Sequence, residues 1–469
     1  MVSQDKSSTR SSSTRIKEPS TRREFLKATG AAAAFGAMIV PRHVLGGPGY
    51  LAPSEQVNLA GIGAGGMGGG DIATHARNGA NIVALCDVDD QRAAGSFNAF
   101  PKARRYRDFR EMIDKEANHI DAVSVGTPDH THAVAAMAAI RAGKHVYCQK
   151  PLTHTLHECR ELTKASIAAG VATQMGNQGH ASEGSRLTNE WIQAGVIGEV
   201  REVHVWSDRA GKLWKQGIDR PSDKPAVPPH LDWNLWLGPV QDRPYHPSYV
   251  PANWRGWIDF GTGALGDMGC HIIDHPVWAL KLGTPLTVEG RCTLDGSAFA
   301  DNRANNETYP IASIVTYQFP ARDELPPVTM TWYEGGLMPS TPAVAPSGRR
   351  LHDNGVLYVG SKGIMHHSSH GGMPEVWPAH LQEEAARVPK TIPRSIGHYE
   401  EWLAACKGGP KPVSSFDYSG PLTEIVLLGV LALRAPGVRI EWNSELMQVT
   451  NAPELNAFVK TEYRSGWTL

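Results

Sequence analysis

The chain has 469 residues, 46 Lys+Arg against 47 Asp+Glu, 41% hydrophobic and 7% aromatic residues, with 48 Gly and 33 Pro. That length supports two or three domains with sizeable cores, and the balanced charge and ordinary apolar fraction exclude a disordered chain, a collagen-like repeat and a strongly basic nucleic-acid binder. The near-neutral total hides an asymmetry: residues 1–47 carry eight basic groups against three acidic ones, so the body that follows is mildly acidic.

Residues 1–20 are rich in Ser, Thr and charge and show no apolar periodicity. They lead into Thr21-Arg22-Arg23-Glu24-Phe25-Leu26-Lys27 and then a mildly apolar stretch over residues 28–40. That stretch is too short to span a bilayer core, which needs roughly 20 apolar residues, and it suits a removable export signal. The arginine pair resembles the twin-arginine export motif, S/T-R-R-x-F-L-K, at every defined position. This implies export of an already folded protein to the periplasm or cell envelope, with a tightly held organic cofactor inserted beforehand. No later window approaches 18 uninterrupted apolar residues, so no membrane span is expected after export. The six cysteines include no C-x-x-C pair, a spacing that fits buried free thiols better than a disulfide framework or a zinc site.

After a Pro/Gly linker over residues 46–53, residues 57–62 read as a strand that leads into Gly63-Ala64-Gly65-Gly66-Met67-Gly68. This G-x-G-x-x-G opens a helix near Gly69, and glycines there permit a tight turn, close approach to a pyrophosphate and close helix packing on a sheet. A second strand over residues 82–86 ends in Asp87. Its carboxylate can accept hydrogen bonds from a ribose diol and would repel a 2′-phosphate, which favours NAD while leaving NADP open; the alternative is a helix N-cap or turn residue. Residues 121–125 read as another buried strand, running into the loop Gly126-Thr127-Pro128-Asp129-His130-Thr131-His132, a helix over 133–142, a strand over 145–148 and then Gln149-Lys150-Pro151. The alternation predicts an α/β fold with a doubly wound parallel sheet, a Rossmann domain over residues 55–175. Ligands bind at the carboxyl ends of such strands, where Gly63, Gly65, Gly66, Met67, Gly68, Asp87, Thr127, Pro128, His130, His132, Gln149 and Lys150 fall.

The second domain is expected over residues 176–469. A helix over 156–169 and a short strand over 171–175 precede a polar loop in which Asn177 and His180 can meet substrate or merely be solvated. Residues 206–257 are dense in Trp, Pro, Tyr and His and read as an inserted rigid loop system near the cleft. Flat rings such as Trp257 suit the C–H faces of sugars, or else staple the loop to the domain. Over residues 266–275 a helix puts Asp267, His271 and either Asp274 or His275 on one face, so that Asp267 can orient an imidazole at His271 suited to taking a hydroxyl proton. Capping and core hydrogen bonding by Asp267 and Asp274 compete with that reading, and His271 with His275 lacks a third clear ligand, so no metal is expected. Residues 287–294, 311–319, 328–333 and 355–359 read as antiparallel strands. Residues 366–373 form a glycine-flanked loop of three histidines, among which His370 is a further substrate candidate. Helices over 397–406 and 422–433 look structural.

The ordered set GAGGMG, CDVDD, VGTPDHTH, AGKHVYCQKPL and GALGDMGCHIIDHP resembles the Gfo/Idh/MocA oxidoreductases across residues 55–435. The resemblance implies an N-terminal Rossmann domain and a C-terminal α/β domain whose large open, mostly antiparallel sheet covers the cofactor. It also implies hydride transfer between a nicotinamide and a hydroxyl carbon of a sugar or polyol. Lys150 would hydrogen-bond the reacting oxygen, and Asp267 and His271 match the D-x-x-x-H used with that lysine for substrate binding and proton transfer. The histidine loop faintly resembles a Gly-His-Gly-Gly loop of the NAD-dependent glycosidases. One departure stands out: the family commonly has Glu-Lys-Pro, and Gln149 replaces the glutamate, removing an anionic partner of Lys150. Three functions are open: a dehydrogenase for a secondary hydroxyl of a sugar, polyol or glycoside; a glycosidase, lyase or epimerase using transient oxidation by a retained NAD; and a non-catalytic sugar-binding protein. A homo-oligomer is expected.

Overall fold

The computed structural model describes residues 55–293 and 306–469; the expected export segment and the linker after it lie outside the described residues. Strands β1 (Asn58–Ile62), β2 (Asn81–Cys86), β3 (Arg104–Tyr106), β4 (Ala122–Val125), β5 (His145–Cys148) and β6 (Thr173–Met175) pair in parallel in the order β3-β2-β1-β4-β5-β6. Helices α1 (Gly66–Arg77), α2 (Asp90–Ala99), α3 (Phe109–Glu116), α4 (Asp129–Arg141) and α5 (Leu156–Ala169) connect them. This is the doubly wound order, with its switch point between the carboxyl ends of β1 and β4. β4 is buried on both faces, which is why it reads as a continuous apolar run rather than an alternation.

Most expected elements are present, and several helices begin earlier than expected, among them those expected over 266–275 and 422–433, which start at Gly263 and Phe416. α1 starts at Gly66, and α4 starts at Asp129 with Pro128 as its N-cap, so His130 and His132 ride on a helix rather than in a loop. A side chain on Gly68 would place its Cβ 2.0 Å from the Gly63 carbonyl oxygen, so glycine there lets α1 lie against the β1 turn. α5 has the expected bounds because both ends are specified locally: Thr155 and Glu158 form a capping box, and Gly170 closes the helix in the left-handed conformation.

The second sheet contains β7 (Val200–Ser207), β8 (Thr287–Cys292), β9 (Ser313–Phe319), β10 (Val328–Glu334), β11 (Gly355–Gly360), β12 (Ile364–Ser368), β13 (Glu375–Trp377), β14 (Arg439–Asn443) and β15 (Gln448–Val449). Their order is β13-β12-β11-β7-β10-β9-β8-β14-β15, and only β7 with β10 is parallel, so the sheet is large and mostly antiparallel as expected. β12 takes up His366 and His367, which corrects the expected three-histidine loop and leaves only His370 in the turn after the strand. The remaining helices are α6 (Glu183–Gln193), α7 (Trp233–Leu237), α8 (Gly263–Ile272), α9 (Asp274–Ala279), α10 (Ala379–Ala385), α11 (His398–Cys406) and α12 (Phe416–Ala432). α8 packs on β7 and β10, while α12 packs on α5 as well as on β8 and β9. One helical layer thereby serves both sheets, and every residue of α8 is buried. All six cysteines are unpaired, and no helix among the described residues is long and apolar enough to cross a membrane.

Alternation on β10 turns Val328, Met330, Trp332 and Glu334 into the layer, which buries a carboxyl group. Glu334 accepts from Ser313 Oγ (2.8 Å) and Trp332 Nε1 (3.1 Å), and burial pushes it up to about 7 despite those bonds. The folded chain therefore holds this proton at pH values where the unfolded chain has released it, so the site favours the fold at low pH and increasingly disfavours it as pH rises from the unfolded value through 7. Glu334→Gln should stabilise the protein by about 1–3 kcal/mol at pH 8 and by much less at pH 5, read from urea denaturation at the two pH values.

Candidate active site

A cleft runs along the carboxyl ends of the parallel strands, lined by Gly63, Gly65, Gly66, Met67, Asp87, Thr127, Pro128, His132, Gln149 and Lys150. Gly68 lies beneath its floor as a packing position. His130 is also not a wall of the cleft: its Nδ1 lies 3.2 Å from the Phe260 carbonyl and its Nε2 2.9 Å from the Trp236 carbonyl, so it pins the inserted segment to α4, and burial lowers it to about 3. His132 lies in the wall, with its nitrogens 2.8 Å from the carbonyls of Pro151 and Thr127, and it ties the β4 turn to the β5 turn.

The cleft has the chemistry of a dinucleotide site. The first-turn amides of α1 have no intrahelical acceptors, and the N-cap Gly65 offers no side-chain oxygen, so they are open to a phosphate. A Cβ on Gly66 would stand 2.6 Å from Arg92 Nη2, so glycine leaves room for a guanidinium beside that cradle. Asp87 Oδ2 accepts from Ala64 N (2.8 Å) and Gly65 N (3.1 Å), and Oδ1 accepts from Asp89 N (2.9 Å). Its carboxylate thus braces the glycine turn while lining the cleft, and burial raises it to about 6 against those amide bonds. Thr127 Oγ1, buried in the same wall, has no partner among the described residues. Arg92, a basic residue in the first turn after CDVDD, also lines the cleft and is not among the residues that the sequence singles out.

The inserted segment forms the roof. Asp232 N donates to the Val88 carbonyl (2.9 Å), Asp90 N donates to the His230 carbonyl (3.1 Å), and His230 Nδ1 lies 2.9 Å from Asp89 Oδ1, so the segment is clasped to the end of β2. Trp236, Pro251, Trp254 and Arg255 reach the cleft from it. Trp257 does not: it is fully buried, donates Nε1 to the Ser248 carbonyl (3.0 Å) and packs edge-on to Tyr249, so it staples the loop.

At one end of the cleft Lys150 Nζ donates to Asp267 Oδ1 (2.7 Å) and to the Asp267 carbonyl (2.9 Å), while Arg255 Nε donates to the same Oδ1 (3.0 Å). Burial would raise Asp267, but the charges of Lys150 and Arg255 outweigh it and hold the carboxyl well below the usual range. The expected Asp267–His271 pair is not formed. A carboxylate within reach of two cations turns to them, and His271 Nδ1 is left buried without a partner among the described residues. Burial, then the charges of Lys150 and His370, push His271 far below the usual histidine range, so its imidazole is neutral. His370, exposed and with φ 60°, lies with its ring centroid 4.2 Å from that of His271. Asn177 and His180 are buried behind this group instead of facing substrate: Asn177 Nδ2 donates to Asp274 Oδ2 (3.1 Å), His180 Nδ1 lies 2.9 Å from Asp274, and His180 stacks on Trp278. Among the described residues no group of His, Cys, Asp or Glu is arranged to hold a metal.

Comparison with known proteins agrees with this geometry. Residues 57–177 match the Gfo/Idh/MocA model described as "Oxidoreductase family, NAD-binding Rossmann fold", and residues 185–293 match its "C-terminal alpha/beta domain". The first domain is thus an NAD-binding Rossmann domain. Inositol 2-dehydrogenase 2 of Saccharopolyspora erythraea is 34% identical over 158 residues, 33% of this chain and 46% of that protein. Levoglucosan dehydrogenase of Pseudarthrobacter phenanthrenivorans is 27% identical over 191 residues, 40% of each. The chain thus spans less than half the length of these curated relatives. The WlbA dehydrogenase of Bordetella pertussis, solved with NADH and UDP-GlcNAcA, shares the fold with a TM-score of 0.57 at 17% identity, covering 83% of this chain and 99% of that one.

Asp267→Asn leaves two partly buried cations sharing a neutral amide, which should cost about 3 kcal/mol of stability. Because the carboxyl titrates below the unfolded value, its contribution is complete above about pH 4 and lost only as pH falls further. The deficit measured by urea denaturation should therefore stay constant from pH 5 to pH 8.

Proposed function

We propose that this chain, which belongs to the Gfo/Idh/MocA oxidoreductases, oxidises a secondary hydroxyl of a sugar, polyol or glycoside with a nicotinamide dinucleotide held in the cleft. The observation that carries the reading is that Lys150 and Arg255, in the wall of a cleft that also has a glycine turn and a phosphate cradle, meet at Asp267, with the His271 and His370 rings close enough to Lys150 to feel its charge. Bound NAD supplies the acceptor for the two electrons and the hydrogen of the C–H bond. Lys150 Nζ, pre-aimed by Asp267, donates to the substrate oxygen and favours its alkoxide character. His271, already neutral, takes the hydroxyl proton, and His370 at its edge passes that proton to solvent. Asp267 acts here by holding Lys150 and Arg255, not by orienting the imidazole.

A second reading is favoured by the clasped roof: a nucleotide enclosed by residues 230–255 is retained, and the oxidised substrate is then reduced again after an elimination or epimerisation step. Export through Thr21–Lys27 to the periplasm or cell envelope fits such a self-contained cofactor, and a homo-oligomer belongs to the same reading.

Denaturing the purified protein should release NAD identifiable by mass, and a panel of sugars, polyols and glycosides should then change nicotinamide absorbance. Accumulation of a keto-sugar supports the dehydrogenase; glycoside cleavage without net change in the nicotinamide supports the second reading; a protein that neither retains nor binds dinucleotide refutes both. Lys150→Met should lower kcat/KM by about 10²–10³-fold while changing NAD affinity only a few-fold, measured by steady-state kinetics and fluorescence titration.

A further inference from the structure

Gln149 departs from Glu-Lys-Pro, and the structure shows what stands beside it. Gln149 Nε2 donates to Asp71 Oδ2 (2.8 Å), and Tyr399 OH from α11 donates to Asp71 Oδ1 (2.7 Å). Asp71 sits on the second turn of α1 and is 1% exposed. The carboxamide is gripped from its other side, since a Cβ on Gly176 would stand 2.7 Å from Gln149 Cδ. Gln178 Nε2 in turn donates to the hydroxyls of Tyr399 (3.1 Å) and Tyr147 (3.2 Å), whose rings stack.

Two donors aimed one at each oxygen are the pattern that an ionised carboxylate satisfies. The groups facing Asp71 are Gln149 and Lys150 at the end of β5, Tyr147 within β5 and Tyr399 from α11. His75, one turn along α1, is lowered to about 3 by burial and by His398, so it brings no charge. A glutamate at 149 would place a second carboxylate against Asp71, and like charges in one buried site exclude each other. Glutamine at 149 and aspartate at 71 therefore form one unit, with the acid moved from the strand end to the helix behind it.

We propose that Asp71 is the anionic partner of the nicotinamide half of the cleft, a positioning residue that supplies through Gln149 the negative charge Glu-Lys-Pro carries at the strand end. This inference rests on the dinucleotide reading above. In this strand order the acid at the end of β2 marks the adenosine half, and the β5 end belongs to the other half. A fixed negative charge there, in a medium of low polarity, favours the cationic oxidised nicotinamide over the neutral reduced one.

The test is the ratio of NAD+ to NADH affinity, measured by fluorescence titration of the full chain freed of nucleotide. In the unmodified protein the preference for NAD+ should weaken as pH falls through about 6, where burial, opposed by Tyr399, Gln149 and Lys150, places the Asp71 carboxyl. Asp71→Asn should shift the ratio toward NADH by about tenfold at pH 8 and scarcely at pH 5. The double variant Asp71→Asn with Gln149→Glu, which rebuilds Glu-Lys-Pro, should restore the pH 8 ratio to within about twofold. Tyr399→Phe, which removes one donor to the carboxylate, should move the pH of the change upward and serves if Asp71→Asn does not fold. An unchanged ratio in Asp71→Asn, or a double variant that does not restore it, makes Asp71 a structural acceptor only and overturns the proposal. Failure of the unmodified protein to bind either nucleotide overturns the dinucleotide reading, and this inference with it.

Discussion

The contact on which the site depends is the ion pair between Lys150 and Asp267. It joins the end of β5 in the first sheet to α8, under the second sheet, across 117 residues of sequence. The two side chains are 10% and 9% exposed, and removing such charges from water costs several kcal/mol each, so the pair is weak evidence for stability. It is strong evidence for placement. Lys150 also donates to the Asp267 carbonyl, and Arg255 joins the same carboxylate oxygen from the inserted segment. A segment from each sheet and the roof thus meet at one oxygen atom, and Trp254, under the Arg255 guanidinium at 4.2 Å, carries the roof with it.

Committing Asp267 to two cations decides what His271 is. An imidazole paired with a carboxylate holds a proton readily; an imidazole with an unpartnered buried nitrogen and Lys150 nearby does not. Burial and Lys150 therefore favour the neutral form of His271 and make it a poor place to keep a proton. On the proposed chemistry, His370 completes it, because its exposed ring can hand the charge to water.

The parallel-sheet domain was legible in the sequence because its specification is local. The glycine turn, Asp87, the Gly126–Pro128 turn and Gln149-Lys150-Pro151 are each read within a few residues, and strand–helix alternation orders them. What stayed hidden depends on partners far away in the chain. The spacing of Asp267 and His271 gives one helix face, but two cations from elsewhere decide where the carboxylate turns. His130 reads as a cleft residue until the carbonyls of Trp236 and Phe260 arrive on it. Asn177 and His180 look like loop polar groups, yet Asp274 gathers both together with the Tyr418 hydroxyl (2.6 Å). Aromatic density in residues 206–257 was visible, but which ring faces the cleft follows from how Trp233, Trp236, Tyr249, Trp257 and Phe260 pack together.

The roof bears on how the reaction must close. Its clasp lies on the adenosine side, where two backbone hydrogen bonds and the contact of His230 with Asp89 hold residues 230–232 to the end of β2 and the start of α2. Opening that clasp exposes backbone groups and separates the roof's own aromatic core from the cleft, whereas His370 is exposed without it. On the proposed transient-oxidation reading, a retained nucleotide must return to its starting oxidation state before the next cycle. On that reading the substrate oxygen stays at Lys150 in both directions of transfer, and the lysine that would favour an alkoxide during oxidation would polarise the carbonyl during reduction. On the proposed transient-oxidation reading, the two half-reactions would then ask no rearrangement of Lys150 and Asp267 between them.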